Sequence, residues 1–183
     1  MDSNKKPVCK DVKSILAEKE KSELLKLIAD LYSSSAENKS FIHSRYAVGG
    51  KTLEPYRSII SESLYPDLYK NKPISLSSGK KAISDYFKAT KDKVGQIELM
   101  VHYLETGNQF TVDFGDIDEK FYSSLESMFE RILATLRIQS TDVQEKYFSR
   151  LEDIVSSANS IGWGYYDYIS DIFREYELEI NST

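Results

Sequence analysis

Seven apolar residues, Phe121, Leu125, Met128, Phe129, Ile132, Leu133 and Leu136, stand at i, i+4, i+7, i+8, i+11, i+12 and i+15. That spacing lines one face of an α-helix and no face of a strand, because side chains return every 3.6 residues on a helix and every two on a strand. The same period governs most of the chain. Leu24, Leu27, Ile28, Leu31 and Tyr32 mark a helix from about Ser22 to Ser33, with Ser22 as its expected cap. Phe41, Ile42, Arg45 and Tyr46 mark one over 36–47 that Gly49-Gly50 ends. Tyr56, Ile59, Ile60 and Leu64 line a helix that starts near Thr52 and stops at Pro66.

Ser77 or Ser78 is expected to cap a helix bearing Ile83, Tyr86 and Phe87. Ile97, Met100, Val101 and Leu104 point inward from a helix over 94–105, which Gly107 is expected to close. Asp116-Ile117-Asp118-Glu119 supplies a capping box, with Asp as cap, for the helix of the first stripe. Val143, Tyr147, Leu151, Ile154, Val155 and Ala158 follow Ser140 or Thr141 as cap. Tyr165, Tyr168, Ile169, Ile172, Phe173 and Tyr176 line the last helix, over 165–178. Phe110–Phe114 alternates polar and apolar for five residues only, too briefly for a strand.

The fold class that follows is all-α, a multi-helix bundle of about seven to nine helices, with solenoid-like stacking of helical hairpins as the alternative. Residues 1–20 read as an N-terminal arm or short helix. Residues 21–183 read as a single helical domain, with the proline-bearing stretch 66–76 as a candidate sub-boundary.

Composition excludes several classes. One cysteine, Cys9, cannot form an internal disulfide, so a disulfide scaffold is out. The longest stretch free of Asp, Glu, Lys and Arg, Ile154–Tyr166, is too short and polar to span a bilayer. No apolar segment follows the N-terminal lysines, so a cytoplasmic protein without membrane association is expected. The net charge of −5 is uneven. Residues 1–93 hold 18 Lys and Arg against 12 Asp and Glu, residues 94–183 hold 6 against 17, and the +6 and −11 make up that total. The basic stretch Lys70–Lys93 carries seven lysines, two aspartates and no arginine. Without the planar guanidinium fork it is a weak nucleic-acid surface, so nucleic acid is not the expected partner.

Chemistry has few carriers. No phosphate-binding glycine loop, nucleophile elbow or dinucleotide fingerprint is present. Cys9 has no histidine near it in sequence and reads as a free thiol. Glu98 and His102 share a helix face at i, i+4 and read as a surface pair. Asp113, Asp116, Asp118 and Glu119 are dense enough for a hard cation, but carboxylates before a helix start also cap it and meet its dipole. Capping is the preferred reading. Under the rival reading, a divalent-cation-dependent enzyme, Asp116, Asp118, Glu126, Glu130 and Asp167 would hold the ion and His102 would be the acid–base group. Trp163, the only tryptophan, stands between Gly162 and Gly164. It reads first as a core plug and second, with Tyr165 and Tyr166, as an anchor for a binding partner.

The segments Lys81–Phe87, Leu99–Gly107, Gly115–Glu130 and Ile161–Asp167 together resemble a family of small bacterial helical proteins known only as a domain of unknown function. Gly115-Asp116-Ile117-Asp118-Glu119 and Ile161-Gly162-Trp163-Gly164 are its most specific marks. The resemblance implies a bacterial, intracellular, helical protein. The family has no established activity, so it implies no catalytic residue. It singles out the Asp116–Glu119 and Gly162–Gly164 turns, which are expected to lie close together. The function expected from the whole is non-enzymatic binding of another protein, or of a second copy as a homodimer, with no cofactor. A divalent cation belongs to the enzymatic alternative.

Overall fold

The computed structural model describes residues 6–50 and 52–181. Among them are nine α-helices and no strand: α1 Cys9–Ala17, α2 Lys21–Ser34, α3 Ala36–Arg45, α4 Glu54–Leu64, α5 Leu76–Thr90, α6 Lys93–Phe114, α7 Glu119–Leu136, α8 Thr141–Ser157 and α9 Tyr165–Asn181. The chain is an all-α bundle, as the periodicity requires.

Side-chain caps set four of the nine starts. Ser35, Ser75, Asp92 and Asp118 each accept a backbone N–H from the first turn of the helix they precede. At α2 the start lies earlier than Ser22: the Glu23 carboxylate accepts the Glu20 N–H at 3.1 Å. At α5 the cap is Ser75 rather than Ser77 or Ser78.

The core is organised around α6. Helices α6, α7, α9 and α8 pack in a closed ring, each against the next. On the other side of α6 lie α4 and α5, also packed on each other. Helix α3 leans on α5, and α2 leans on α3. Leu99, Met100, Val101, Tyr103 and Leu104 are all fully buried, so α6 is apolar nearly all round, as a helix surrounded by others must be. Tyr56, Ile60 and Leu64 of α4 share the core with α7, α8 and α9. The 66–76 connection is tied back where the Ser75 N–H donates to the Ser63 carbonyl at 2.8 Å.

Gly107 does not end α6, which runs on to Phe114 and takes in the alternating Phe110–Phe114 stretch. The glycine serves packing instead. A Cβ there would sit 2.7 Å from Leu125 of α7, and one at Gly79 would sit 2.7 Å from Leu64 and 2.9 Å from the Tyr103 ring. Missing side chains at these two positions let α6 approach α7, and α5 approach α4 and α6, more closely than alanine allows.

No apolar side chain from residues 6–50 enters this core. Ser44 is the only buried residue among them, and its hydroxyl donates to Tyr56 at 3.3 Å. Helices α2 and α3 are joined to each other by Tyr32 and His43, 2.9 Å apart. They are joined to the body where Arg45 donates to the Lys88 carbonyl at 3.0 Å.

Candidate functional site

The two turns marked by the sequence do lie side by side. Asp118 caps α7, its Oδ1 accepting the Phe121 N–H at 2.7 Å. Asp116 accepts the Tyr122 hydroxyl at 2.9 Å, and its Oδ2 lies where a Cβ on Gly162 would be 3.0 Å away. Tyr165 is fully buried behind them and donates to Asn108 Oδ1 at 2.8 Å. Asn108 donates in turn to the Ile154 carbonyl at 2.9 Å and to Ser157 at 3.0 Å. Burial pushes the Tyr165 phenol far up, so it stays a neutral donor.

The core plug of this segment is therefore Tyr165, and it presents no surface to a partner. Trp163, expected in the core, is 59% exposed. Its φ of +63° and Gly164's of +74° turn the chain sharply just before α9 and leave the indole outside. Left-handed backbone costs a residue with a Cβ roughly 1–2 kcal/mol. Tyr166 is half-buried at the core's edge.

The carboxylates of the enzymatic reading are dispersed. Asp116 is engaged by Tyr122, Asp118 by the α7 start and Glu130 by the Tyr168 hydroxyl. Asp167 is exposed. Glu126 is half-buried, and burial with the neighbouring Glu130 and Glu119 pushes its carboxyl up. Among the described residues no three His, Cys, Asp or Glu side chains gather so as to hold an ion. Millimolar Mg²⁺, Mn²⁺ or Ca²⁺ should therefore leave the melting temperature unchanged. A rise of several degrees would restore the cation reading, because a ligand that binds the native state must stabilise it.

His102 is half-buried, its Nε2 2.9 Å from Ser61 Oγ. Burial, with Arg57's charge beside it, holds the imidazole below its ordinary value, so it is neutral at neutral pH. Its i, i+4 neighbour Glu98 pairs elsewhere. Arg57 from α4 and Arg150 from α8 both donate to Glu98, and Arg150 also holds Glu105 at 2.8 Å. Burial pushes Glu98 up, but Arg150's hydrogen bonds and charge, joined by Arg57's charge, outweigh it and keep the carboxyl below the usual range. This network cross-links α4, α6 and α8, and the sequence reading missed it. The signal was present: Glu98 and Glu105, seven residues apart and so on one helix face, are the only Asp, Glu, Lys or Arg between Val94 and Val112.

The basic stretch is largely tied up internally. Lys70 pairs with Asp67, Lys72 with Glu62, Lys81 with Glu37 and Asp85, and Lys88 with Asp85. Lys91 lies over the Phe87 ring.

What stands open is apolar. Of the twenty large hydrophobic side chains exposed among the described residues, ten lie between Val8 and Val48, on the first three helices and the residues that flank them. On α1 the exposed stripe is Val8, Val12 and Ile15; on α2 it is Leu25, Leu27, Ile28 and Leu31. Neither helix buries a residue. Between α2 and α3 runs a groove of about 400 Å³ lined by Ile28, Leu31, Phe41, Ile42 and Tyr46, with Asn38 and Arg45 as its polar members. An amphipathic helix that leaves most of its apolar side to water is missing part of its packing surface. No helix among the described residues is long and apolar enough to cross a membrane.

Protein-family models, curated proteins and solved structures give no match to this chain. None of these comparisons bears on the resemblance carried by the four segments named above.

Proposed function

We propose that the protein is a non-enzymatic helical binding module whose working surface is the apolar face of α1–α3. The observation that carries this is that half of the exposed large apolar side chains among the described residues sit on the one part that buries none of them in the core. Three-helix apolar faces of this kind suit another polypeptide, which can lay an amphipathic helix into the α2–α3 groove. Non-catalytic binding is also consistent with the state of the polar groups. Most of the candidate carboxylates, and His102, are engaged in caps, ion pairs and hydrogen bonds that hold the fold together.

Site-specific photo-cross-linking tests the reading. A photoreactive residue replacing Ile28 in the full chain, expressed in its native cell, should yield one dominant cross-linked protein species. The same residue replacing Ile138, which is 68% exposed but lies on a distant part of the chain, should yield none. Equal or absent cross-linking at both positions would overturn the reading.

A further inference from the structure

We infer that the occupant of this face is a second copy of the chain, with α1 of each protomer seated in the α2–α3 groove of the other. This deepens the binding reading above and rests on it. Three observations point to self-association.

The first is area. Ten large side chains, each around half exposed, offer on the order of 800 Å² of apolar surface, one partner's share of a standard stable interface. The second is that both halves of the contact are on the same chain. The α2–α3 groove needs an apolar ridge, and α1 carries one in Val8, Val12 and Ile15 at i, i+4 and i+7. The third is that α1 needs a docking surface. Isolated helices shorter than about 12–15 residues are marginal in water, and α1 has 9 residues and no extensive contact with another helix.

The connection between α1 and α2 is only Glu18–Glu20. It keeps α1 beside its own α2, so the partner's groove must come up against α2 as well. The result is a reciprocal contact about a two-fold axis, in which each α1–α2 pair meets its counterpart as a small four-helix arrangement.

Sedimentation velocity of the full chain over a wide concentration range tests this. A species of twice the 21.0 kDa chain mass should form as concentration rises. A ridge variant, Val12→Glu with Ile15→Glu, and a groove variant, Ile28→Lys with Leu31→Lys, should each weaken dimerisation about 100-fold or more, since a charge is buried in each contact. At concentrations where the wild type is monomeric, both should match its far-ultraviolet circular dichroism and melting temperature, because none of the four residues touches the core. The deciding arm is the mixture. The groove variant retains an intact ridge and the ridge variant an intact groove, so mixing restores one of the two contacts and a heterodimer should form where neither variant pairs alone. A wild-type chain that stays monomeric, a dimer that survives both variants, or a mixture that fails to associate would overturn the inference. A cross-link from position 28 to a different protein, with the chain monomeric, would overturn it while leaving the binding reading standing.

Discussion

Tyr165→Ala is expected to lower the unfolding free energy by about 4 kcal/mol, and Tyr165→Phe by about 1–2 kcal/mol. Two effects compete at this position. The ring is fully buried, and truncating a buried aromatic costs about 3–5 kcal/mol through lost transfer energy and the cavity left behind. The hydroxyl donates to Asn108 Oδ1, and removing it leaves a buried acceptor without its donor. Asn108 keeps its two bonds to Ile154 and Ser157, so only one group is orphaned and the penalty stays near the lower figure. Packing of the ring thus outweighs the hydrogen bond. Urea titration of the two variants checks this, because equal losses would mean that the hydrogen bond and not the ring holds the α6–α9 seam. In a chain of this length about 4 kcal/mol corresponds to roughly 10–15 °C in Tm.

Arg150→Ala is expected to cost about 2–3 kcal/mol at neutral pH, and the cost should shrink as pH falls. Breaking a buried pair typically costs about 3–5 kcal/mol because it strands the partner charge. Here the Glu98 side chain is 12% exposed and Glu105 is 37% exposed. Water screens Glu105, and Arg57 still faces Glu98, so the expected loss lies below the full range. In the wild type the Glu98 carboxyl titrates below its ordinary value. Its contribution is therefore complete above the unfolded Glu value of about 4.3 and is lost as pH drops through the folded value. In the variant, burial acts on Glu98 with less opposing it. Its carboxyl moves up, and protonation in mild acid relieves the stranded charge. The stability difference between the two proteins should accordingly narrow between neutral pH and about pH 4. Glu98→Gln combined with Arg150→Met should recover most of the loss. A penalty independent of pH, or a double variant no better than Arg150→Ala, would show that Arg150 acts through packing alone.

The sequence carried the helices well because each has a continuous apolar stripe, and a stripe of period 3.6 has no other regular solution. It misplaced the end of α6 and put the caps of α2 and α5 two or three residues late. Gly107 is a permissive residue, and permissiveness serves close packing inside a helix as readily as termination after it. Only the position of Leu125 on the neighbouring helix distinguishes the two. Trp163 was misread for a related reason. Burial follows from where the backbone turn points a side chain, and the left-handed step at Trp163 and Gly164 points the indole outward and hands the core to Tyr165. The Arg57–Glu98–Arg150–Glu105 network joins three helices far apart in sequence, so no local spacing reveals its pairing, although the charges on α6 hinted at it.

The apolar face itself was half legible. The stripe of Leu24, Leu27, Ile28 and Leu31 is plain in the sequence, but periodicity says only that a helix has an oily side and not what lies against it. The bundle reading turns these stripes to one interior, which holds from α4 onward and fails for α2, whose stripe lies outside the core cluster. That failure is the main structural support for a binding role.

Thiol labelling at Leu31 tests that role most directly. The chain's own thiol, Cys9, is exposed and is first removed as Cys9→Ser. Leu31→Cys, at 49% exposure, and Ile138→Cys, at 68%, are then alkylated in the native cell and in dilute purified protein. If the α1–α3 face is occupied in the cell, position 31 should react at least about tenfold more slowly there than in the dilute protein, while position 138 reacts alike in both. If position 31 reacts as fast in the cell as in the dilute protein, nothing covers this face and the binding account is wrong.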